Sequence, residues 1–243
     1  INSIMVNIFT GEVLDFWGGV SDLMAKRLRV TNPKTFSDDS LRVLRGVQFA
    51  ARFDLVCNSD SLKIMQKIDI SDLSANRIYL EPEKFFIAKF KRRAMELLSE
   101  LGLDLKLFGV EFDERFIQQI SNKIHTHKAS FLYHLINYYA IDGKSLISRL
   151  ALPNCYSISY KQPFLRRVSK FELLKIALDM PLCQWLGLDS KRRIKMAQAL
   201  GIYEHKFSPN IDTSAILCVG KAYGDELKRL RIQAIKDYLN GCN

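Results

Sequence analysis

Along this chain the apolar residues recur mainly three and four positions apart, and period-two alternation is confined to the beginning. Residues 3–17 predict a hairpin, in which the β-rich runs Ile4–Phe9 and Val13–Trp17 flank Thr10-Gly11-Glu12, a loop with turn chemistry. Gly18-Gly19 ends it, and Ser21 predicts the N-cap of a helix through Lys26, with Asp22 favourably placed in the first turn. Residues 28–31 predict one more strand. Beyond them the spacing predicts helices at 38–53, 60–68, 74–90, 93–101, 113–124, 128–139, 143–150, 158–178, 190–200 and 222–239. Pro82, Pro153, Pro163 and Pro181 mark kinks or ends, so 158–178 is expected to break. The change of pattern near residue 35 predicts a mainly α protein, the tail of an α/β unit followed by an all-helical array.

The 243 residues are 48% hydrophobic, enough to bury a sizeable core and to form more than one small domain. Lys and Arg number 36 against 26 Asp and Glu, a net charge of +10. Such a surplus attracts polyanions, and RNA, DNA or an anionic membrane surface would each satisfy it, as would simple solubility. No apolar stretch is long enough to span a bilayer, and no signal peptide opens the chain. Cys57, Cys155, Cys183, Cys218 and Cys242 are far apart, odd in number and form no CxxC pair. Neither a zinc site nor a disulfide framework is indicated, and a reducing cytoplasm fits best. The first residue is Ile rather than Met, which leads us to expect something upstream.

The most informative stretch is Ser37-Asp38-Asp39-Ser40-Leu41-Arg42-Val43-Leu44-Arg45-Gly46-Val47-Gln48-Phe49-Ala50-Ala51-Arg52-Phe53. Ser37 is the expected cap. At about 100° per residue, Leu41, Val43, Leu44, Val47, Ala50 and Ala51 share one half, and Asp38, Asp39, Arg42, Arg45 and Arg52 share the other. An ordinary amphipathic helix with surface ion pairs has this pattern. So does a base-selecting helix. A carboxylate accepts from the exocyclic amino group of cytosine or adenine, and a neighbouring guanidinium donates to the ring nitrogen on the same edge. Uracil and guanine present a carbonyl to the carboxylate and are repelled. Asp39 and Arg42, three apart, are neighbours suited to this task.

Residues 38–53 resemble, without a gap, the E-D-P-L-R-I-L-R-A-V-R-F-A-A-R-L run of the bacterial class II tRNA nucleotidyltransferase (CCA-adding) and poly(A) polymerase family. Asp38 stands where the family has Glu, and Gln48 where it has Arg. Flanking stretches resemble the family at lower density. Ile1–Ile4 resembles the end of R-R-D-F-T-I-N-A-L, Leu14–Leu23 resembles I-D-P-F-G-G-L-E-D-L with Phe16 in place of Pro, and Leu28-Arg29 resembles a strand ending in I-R. Leu73–Phe86 resembles S-x-E-R-I-x-x-E-x-x-K-L-L, with Arg77, Glu81 and Lys84 matching, and is read as bracing the neck. Ile211–Leu227 resembles a Gly-bounded turn of the family's tail. Backbone N–H groups there can hold a phosphate, although a turn needs Gly for conformational reasons alone.

The resemblance implies residues 1–35 as the end of an α/β nucleotidyltransferase head, 36–102 as a neck with selecting and bracing helices, 103–180 as a helical body, and 181–243 as a tRNA-binding tail. It implies Asp39, Arg42 and Arg45 as nucleotide-binding residues, and Arg52, Lys221, Lys228, Arg229 and Arg231 as RNA contacts. It implies CCA addition to tRNA 3′ ends from CTP and ATP. Poly(A) addition to RNA 3′ ends, or a non-catalytic RNA-binding module, are the alternatives. The catalytic carboxylates and their Mg²⁺ are expected upstream, with no metal ligand set in this chain. Asp15 and Asp22 read as turn and helix-start residues, His125 and His127 as surface histidines, Lys89, Lys91, Arg92 and Arg93 as a solvated loop or helix start with an RNA contact as the alternative, and Phe131–Tyr139 as core.

Overall fold

A computed structural model of the chain describes residues 3–124, 127–214 and 219–241. Ile1, Asn2, His125, Cys218 and Cys242, with the rest of the stretch 215–218, lie outside the described residues. The chain divides into two compact units, Ile1–Lys161 and Gln162–Asn243. Among the described residues the fold is mainly α, with four two-residue strands near the beginning.

The first unit opens with β1 (Met5–Val6) antiparallel to β2 (Val13–Leu14), in register Met5 with Leu14. The pairing is shorter than the β-rich runs because Asn7 folds the chain early. Its Oδ1 accepts from the Phe9 N–H at 3.0 Å, and its carbonyl accepts from Gly11, which sits at φ 73°. The following helix, α1 (Gly19–Met24), starts before the expected Ser21 cap. The Asp15 carboxylate explains this correction, since it accepts from Gly19 N–H at 2.7 Å and Val20 N–H at 2.8 Å and satisfies the helix start from outside. Gly19 is required there, because a Cβ would lie 2.7 Å from Ser3 Oγ and 2.9 Å from Ile4 Cγ1.

The extra strand, β3 (Arg27–Leu28), pairs in parallel with β4 (Val56–Cys57), a partner the sequence pattern did not reveal. Between them lie α2 (Pro33–Phe36), a single turn started by Asn32 and Pro33, and α3 (Leu41–Phe53). Ser37 is a second correction, as it closes α2 instead of capping α3. The cap position of α3 is Ser40, whose hydroxyl donates to Asp72 at 2.6 Å, and the Asp39 carboxylate takes the Leu41 N–H. Val43, Leu44, Val47, Ala50 and Ala51 are at most 1% exposed. Burying a Val or Leu side chain contributes about 1.5–3 kcal/mol. A surface ion pair contributes roughly 0–1 kcal/mol. The apolar stripe therefore sets the position of α3, and its polar face is left for other work.

Helices α4 (Ser59–Gln66), α5 (Ala75–Phe86) and α6 (Lys91–Glu100) follow, with α5 and α6 packed on α3. Pro82 neither starts nor ends an element, because α5 runs through it to the buried Phe85 and Phe86. Among the described residues, five more helices follow in this unit: α7 (Leu103–Phe108), α8 (Glu114–Ser121), α9 (Ser130–Tyr139), α10 (Gly143–Arg149) and α11 (Asn154–Ser159). Phe86, Phe108, Phe112, Phe116 and Phe131 form one aromatic cluster, which places the aromatic run of α9 in the core.

The second unit contains α12 (Lys170–Ala177), a 3₁₀ turn (Leu182–Gln184), α13 (Lys191–Ala199) and α14 (Lys221–Gly241). Its core gathers Leu173, Leu174, Leu182, Trp185, Ile202 and Ile235. Of the helix expected at 158–178, only 158–159, the end of α11, and 170–177, which is α12, are helical, and Pro163 lies in the non-helical stretch between them.

Candidate nucleotide-binding cleft

A cleft of about 440 Å³ opens in the first unit between the segment 17–36 and α3. This volume falls within the roughly 300–1,000 Å³ of small-molecule sites. Arg42 and Arg45 line it from α3, Arg27 and Arg29 from the β3 segment, and Trp17 from the hairpin exit. Gly46 and Met65 also line it, and a Cβ on Gly46 would come within 2.9 Å of Met65 Cε. The glycine thus keeps the helix surface low beside the two arginines.

The cations of the cleft are not equivalent. Arg29 is committed, donating to the Trp17 carbonyl and to Asp22, with its Nη2 2.7 Å from that carboxylate. Arg27 lies 3.8 Å from the same Asp22. The Arg42 guanidinium donates to the Thr35 carbonyl at the end of α2. Arg45 makes no hydrogen bond or ion pair among the described residues and is half-buried. With four guanidiniums against the one carboxylate of Asp22, the cleft favours an anionic ligand, and guanidiniums match phosphate oxygens well.

Asp39 sits just before the cap of α3, one helical turn from Arg42, but does not line the cleft. Its Oδ1 accepts from Arg77 Nη2 of α5 at 3.0 Å and from the Leu41 N–H at 3.2 Å. Asp39 and Arg42 therefore do not pair with each other, and each is held by a different neighbour. Both stay partly open to solvent. Gln48 is buried on the packed side of α3, so the Arg that the related motif has there is not missing from the cleft.

The remaining sequence-predicted residues lie elsewhere. Arg52 is exposed, with its guanidinium 5.2 Å from the Phe53 ring centroid. Lys221 and Lys228 are exposed on α14, Arg229 is paired with Glu226 at 2.6 Å, and Arg231 is half-buried. The basic start of α6 is occupied by structural pairs: Arg92 with Glu96 and Glu114, and Arg93 with Asp54 at 3.0 Å. Lys26 also binds Asp54, at 2.6 Å, and these two cations, Lys26 first, hold its carboxyl below the usual range. Sequence reasoning noted Arg29 only as the end of a strand and missed Arg27 and Trp17. The alternation Arg27-Leu28-Arg29, which places both guanidiniums on one side of a strand, was the available signal.

The carboxylates beside the cleft do not suit a metal. Asp15 caps α1, its carboxyl held low by the Val20 and Gly19 N–H groups, and Asp22 is bound to Arg29. Among the described residues no three His, Cys, Asp or Glu side chains group as a metal would require. The residues lining this cleft do not fit Mg²⁺.

A smaller cavity of about 30 Å³ lies among Phe86, Phe108, Phe131 and Leu132. Beside it Glu83 accepts from Tyr79, from Tyr156 at 2.6 Å and from Lys128, whose Nζ is 3.2 Å away. Burial raises the Glu83 carboxyl, but these three donors outweigh it and leave the group below its ordinary value.

Comparison with known proteins gives this geometry a context. No protein-family model matches the chain. The "Multifunctional CCA protein" of Actinobacillus pleuropneumoniae is 34% identical over 131 residues, covering 48% of this chain and 32% of that protein. That of Pasteurella multocida is 32% identical over 130 residues, covering 48% and 31%. The chain is homologous to the multifunctional CCA proteins. It spans about a third of the length of these curated relatives. Among solved structures, the Bacillus stearothermophilus CCA-adding enzyme in complex with CTP superposes with a TM-score of 0.66 at 18% identity, covering 98% of this chain and 67% of that one. The Thermotoga maritima CCA-adding enzyme complexed with tRNA gives 0.63 at 17% identity, covering 96% and 68%. At such identities the superpositions show that the fold is shared with CCA-adding enzymes.

Proposed function

We propose that this chain supplies base selection and RNA binding in a tRNA nucleotidyltransferase that adds CCA to tRNA 3′ ends from CTP and ATP. The observation that carries the reading is the placement of Arg42 and Arg45 on the cleft face of α3, with Asp39 one turn away. Arg42 donates to the ring nitrogen of cytosine or adenine, and Asp39 accepts from the exocyclic amino group. Arg45, uncommitted in the cleft, binds phosphate oxygens. The bound nucleotide is then attacked at its α-phosphorus by the RNA 3′-hydroxyl, and pyrophosphate leaves. The chain's share of this chemistry is to hold the base and orient the triphosphate, which can lower a barrier substantially by positioning alone.

The domain roles follow from the same reading. Residues 1–35 end a catalytic head, 36–102 form the neck, 103–180 the body and 181–243 the tRNA-binding tail. Arg52, Lys221, Lys228, Arg229 and Arg231 are proposed RNA contacts, the protein is proposed to act in the cytoplasm, and the carboxylates that bind Mg²⁺ are proposed to lie outside these 243 residues. The homology to CCA proteins and the shared fold support the reading.

The test offers the intact polypeptide a tRNA shortened at its 3′ end with each nucleoside triphosphate in turn. Incorporation of C and then A is expected. Incorporation of A alone would favour poly(A) or A-only addition, and no incorporation at all would favour an RNA-binding module. The 243-residue chain by itself is expected to transfer nothing, and turnover by it would overturn the placement of the catalytic carboxylates.

A further inference from the structure

Asp39 and Arg77 are separated by 38 positions, yet their side chains meet at 3.0 Å. This contact bears directly on what Asp39 can offer a base. A free aspartate carboxylate presents two equivalent oxygens and rotates between rotamers, so it defines no single acceptor direction. Here Oδ1 is taken twice, by the Arg77 guanidinium and by the Leu41 N–H of its own turn. Among the described residues Oδ2 accepts no hydrogen bond. The turn is anchored from another direction as well, since the neighbouring Ser40 hydroxyl donates to Asp72. Arg77 is delivered by α5, a helix packed on α3 and anchored at its far end by the buried Phe85 and Phe86, so the donor comes from a fixed wall.

We infer that Arg77 is a positioning residue for nucleotide selection. It clamps Oδ1 of Asp39 and leaves Oδ2 as the one carboxylate oxygen open to a base amino group. The inference rests on the base-selection reading above and adds the group that gives Asp39 its direction. Charge-assisted hydrogen bonds of this kind are directional and strong enough to hold a side chain in one orientation. Selectivity is sensitive to such support, because a recognising group has to be held in its productive geometry by the residues behind it. The Arg77 side chain is 49% exposed, so its loss costs the fold little, which separates a positioning effect from a folding defect.

The test uses the intact polypeptide and measures displacement of a fluorescent ATP analogue by CTP, ATP, UTP and GTP. Wild type, Arg77→Gln, Arg77→Lys and Asp39→Ala are compared, with inorganic tripolyphosphate as a probe of the phosphate contacts and thermal melting as a probe of the fold. Wild type is expected to prefer CTP and ATP. Arg77→Gln is expected to reduce that preference roughly tenfold, the worth of one base-edge contact, with tripolyphosphate affinity and melting unchanged. Arg77→Lys, which keeps the charge but not the fork, is expected to restore part of it. Wild-type preference in Arg77→Gln, with Asp39→Ala unselective, would overturn the positioning role alone. Loss of tripolyphosphate affinity or of melting temperature in Arg77→Gln would overturn it in favour of a structural role. Equal binding of all four nucleotides by wild type, or full preference in Asp39→Ala, would overturn the base-selection reading and this inference with it.

Discussion

Arg193 provides a demanding test of how the second unit is held together. Its Nη1 donates to the Gly187 carbonyl at 2.6 Å and to Asp189 at 3.0 Å, and its Nη2 donates to the Leu165 carbonyl at 2.9 Å. The guanidinium also lies 5.8 Å from the Trp185 ring centroid. Arg193 is 15% exposed and Asp189 3%. Arg193→Met keeps the aliphatic stem while removing the charge and all of these donors. Removing one partner of a buried pair costs about 3–5 kcal/mol, and the residual exposure places the expectation at the lower end, about 3 kcal/mol. In a domain of under a hundred residues each kcal/mol moves the melting temperature by roughly 4–8 °C, so a fall of at least about 10 °C is expected. The control is Arg192→Met. Arg192 is exposed and unpaired among the described residues, and such surface changes stay within about 0.5 kcal/mol. Thermal unfolding followed by circular dichroism, with limited proteolysis to locate the early cleavages, reads both variants. A loss below about 1 kcal/mol for Arg193→Met, or equal losses for the two variants, would refute the assignment of Arg193 as the clasp of this unit.

Four further outcomes are expected. Leu44→Ala, at a position 0% exposed, should destabilise the first unit by about 3 kcal/mol in urea unfolding, and a cost under 1 kcal/mol would mean the site collapses around the deletion. Arg45→Ala should weaken triphosphate binding about equally for all four bases and reduce its salt dependence, whereas a base-specific loss would move Arg45 from the phosphates to the base. The Asp54 carboxyl is held low by Lys26 and then Arg93, so its stabilisation is present above the unfolded value near pH ~4 and is lost as pH falls through the lower folded value. Asp54→Asn should therefore be less stable than wild type at neutral pH and should lose less on acidification, and parallel acid melts would count against the pairing. On α14, Lys228→Ala should lower RNA affinity more than Arg229→Ala, because Arg229 is already engaged by Glu226; filter binding over a salt series would show the reverse ranking if the helix presents its other side.

The long helices were legible because each carries its own periodicity. The expected 128–139, 143–150 and 190–200 differ from Ser130–Tyr139, Gly143–Arg149 and Lys191–Ala199 by a residue or two at their ends. What escaped were the short helices α2 and α7, too brief to show a periodicity, and features decided between distant residues. The strand Val56–Cys57 is two residues long and exists only because Arg27–Leu28 is beside it, so no local pattern announces it. The start of α1 was misplaced because Asp15, four residues upstream, supplies the cap that Ser21 was expected to provide. At the cleft, the polar face of α3 was readable from spacing, and Arg42 and Arg45 lie on it as the pattern required. The partner of Asp39 was not readable, since the sequence offers Arg42 at helical distance while the fold brings Arg77 from another helix. Arg193 was not singled out in the sequence, where it follows Lys191 and Arg192, and only the return of the 165–166 backbone gives it its role.

The two main-chain hydrogen bonds from Val56 and Asn58 to the Lys26 and Leu28 carbonyls, at 2.9 and 3.1 Å, fasten the exit of α3 to the strand that forms the opposite side of the cleft. The chain thereby makes a closed frame, leaving one side, traversing the helix and riveting itself back to its starting point. Pulling the β3 side of the cleft away from the exit of α3 would break these two backbone bonds. Residues 26–58 thus carry two walls of the cleft, Arg27 and Arg29 on one and Arg42 and Arg45 on the other, on a single stretch of chain tied to itself at both ends.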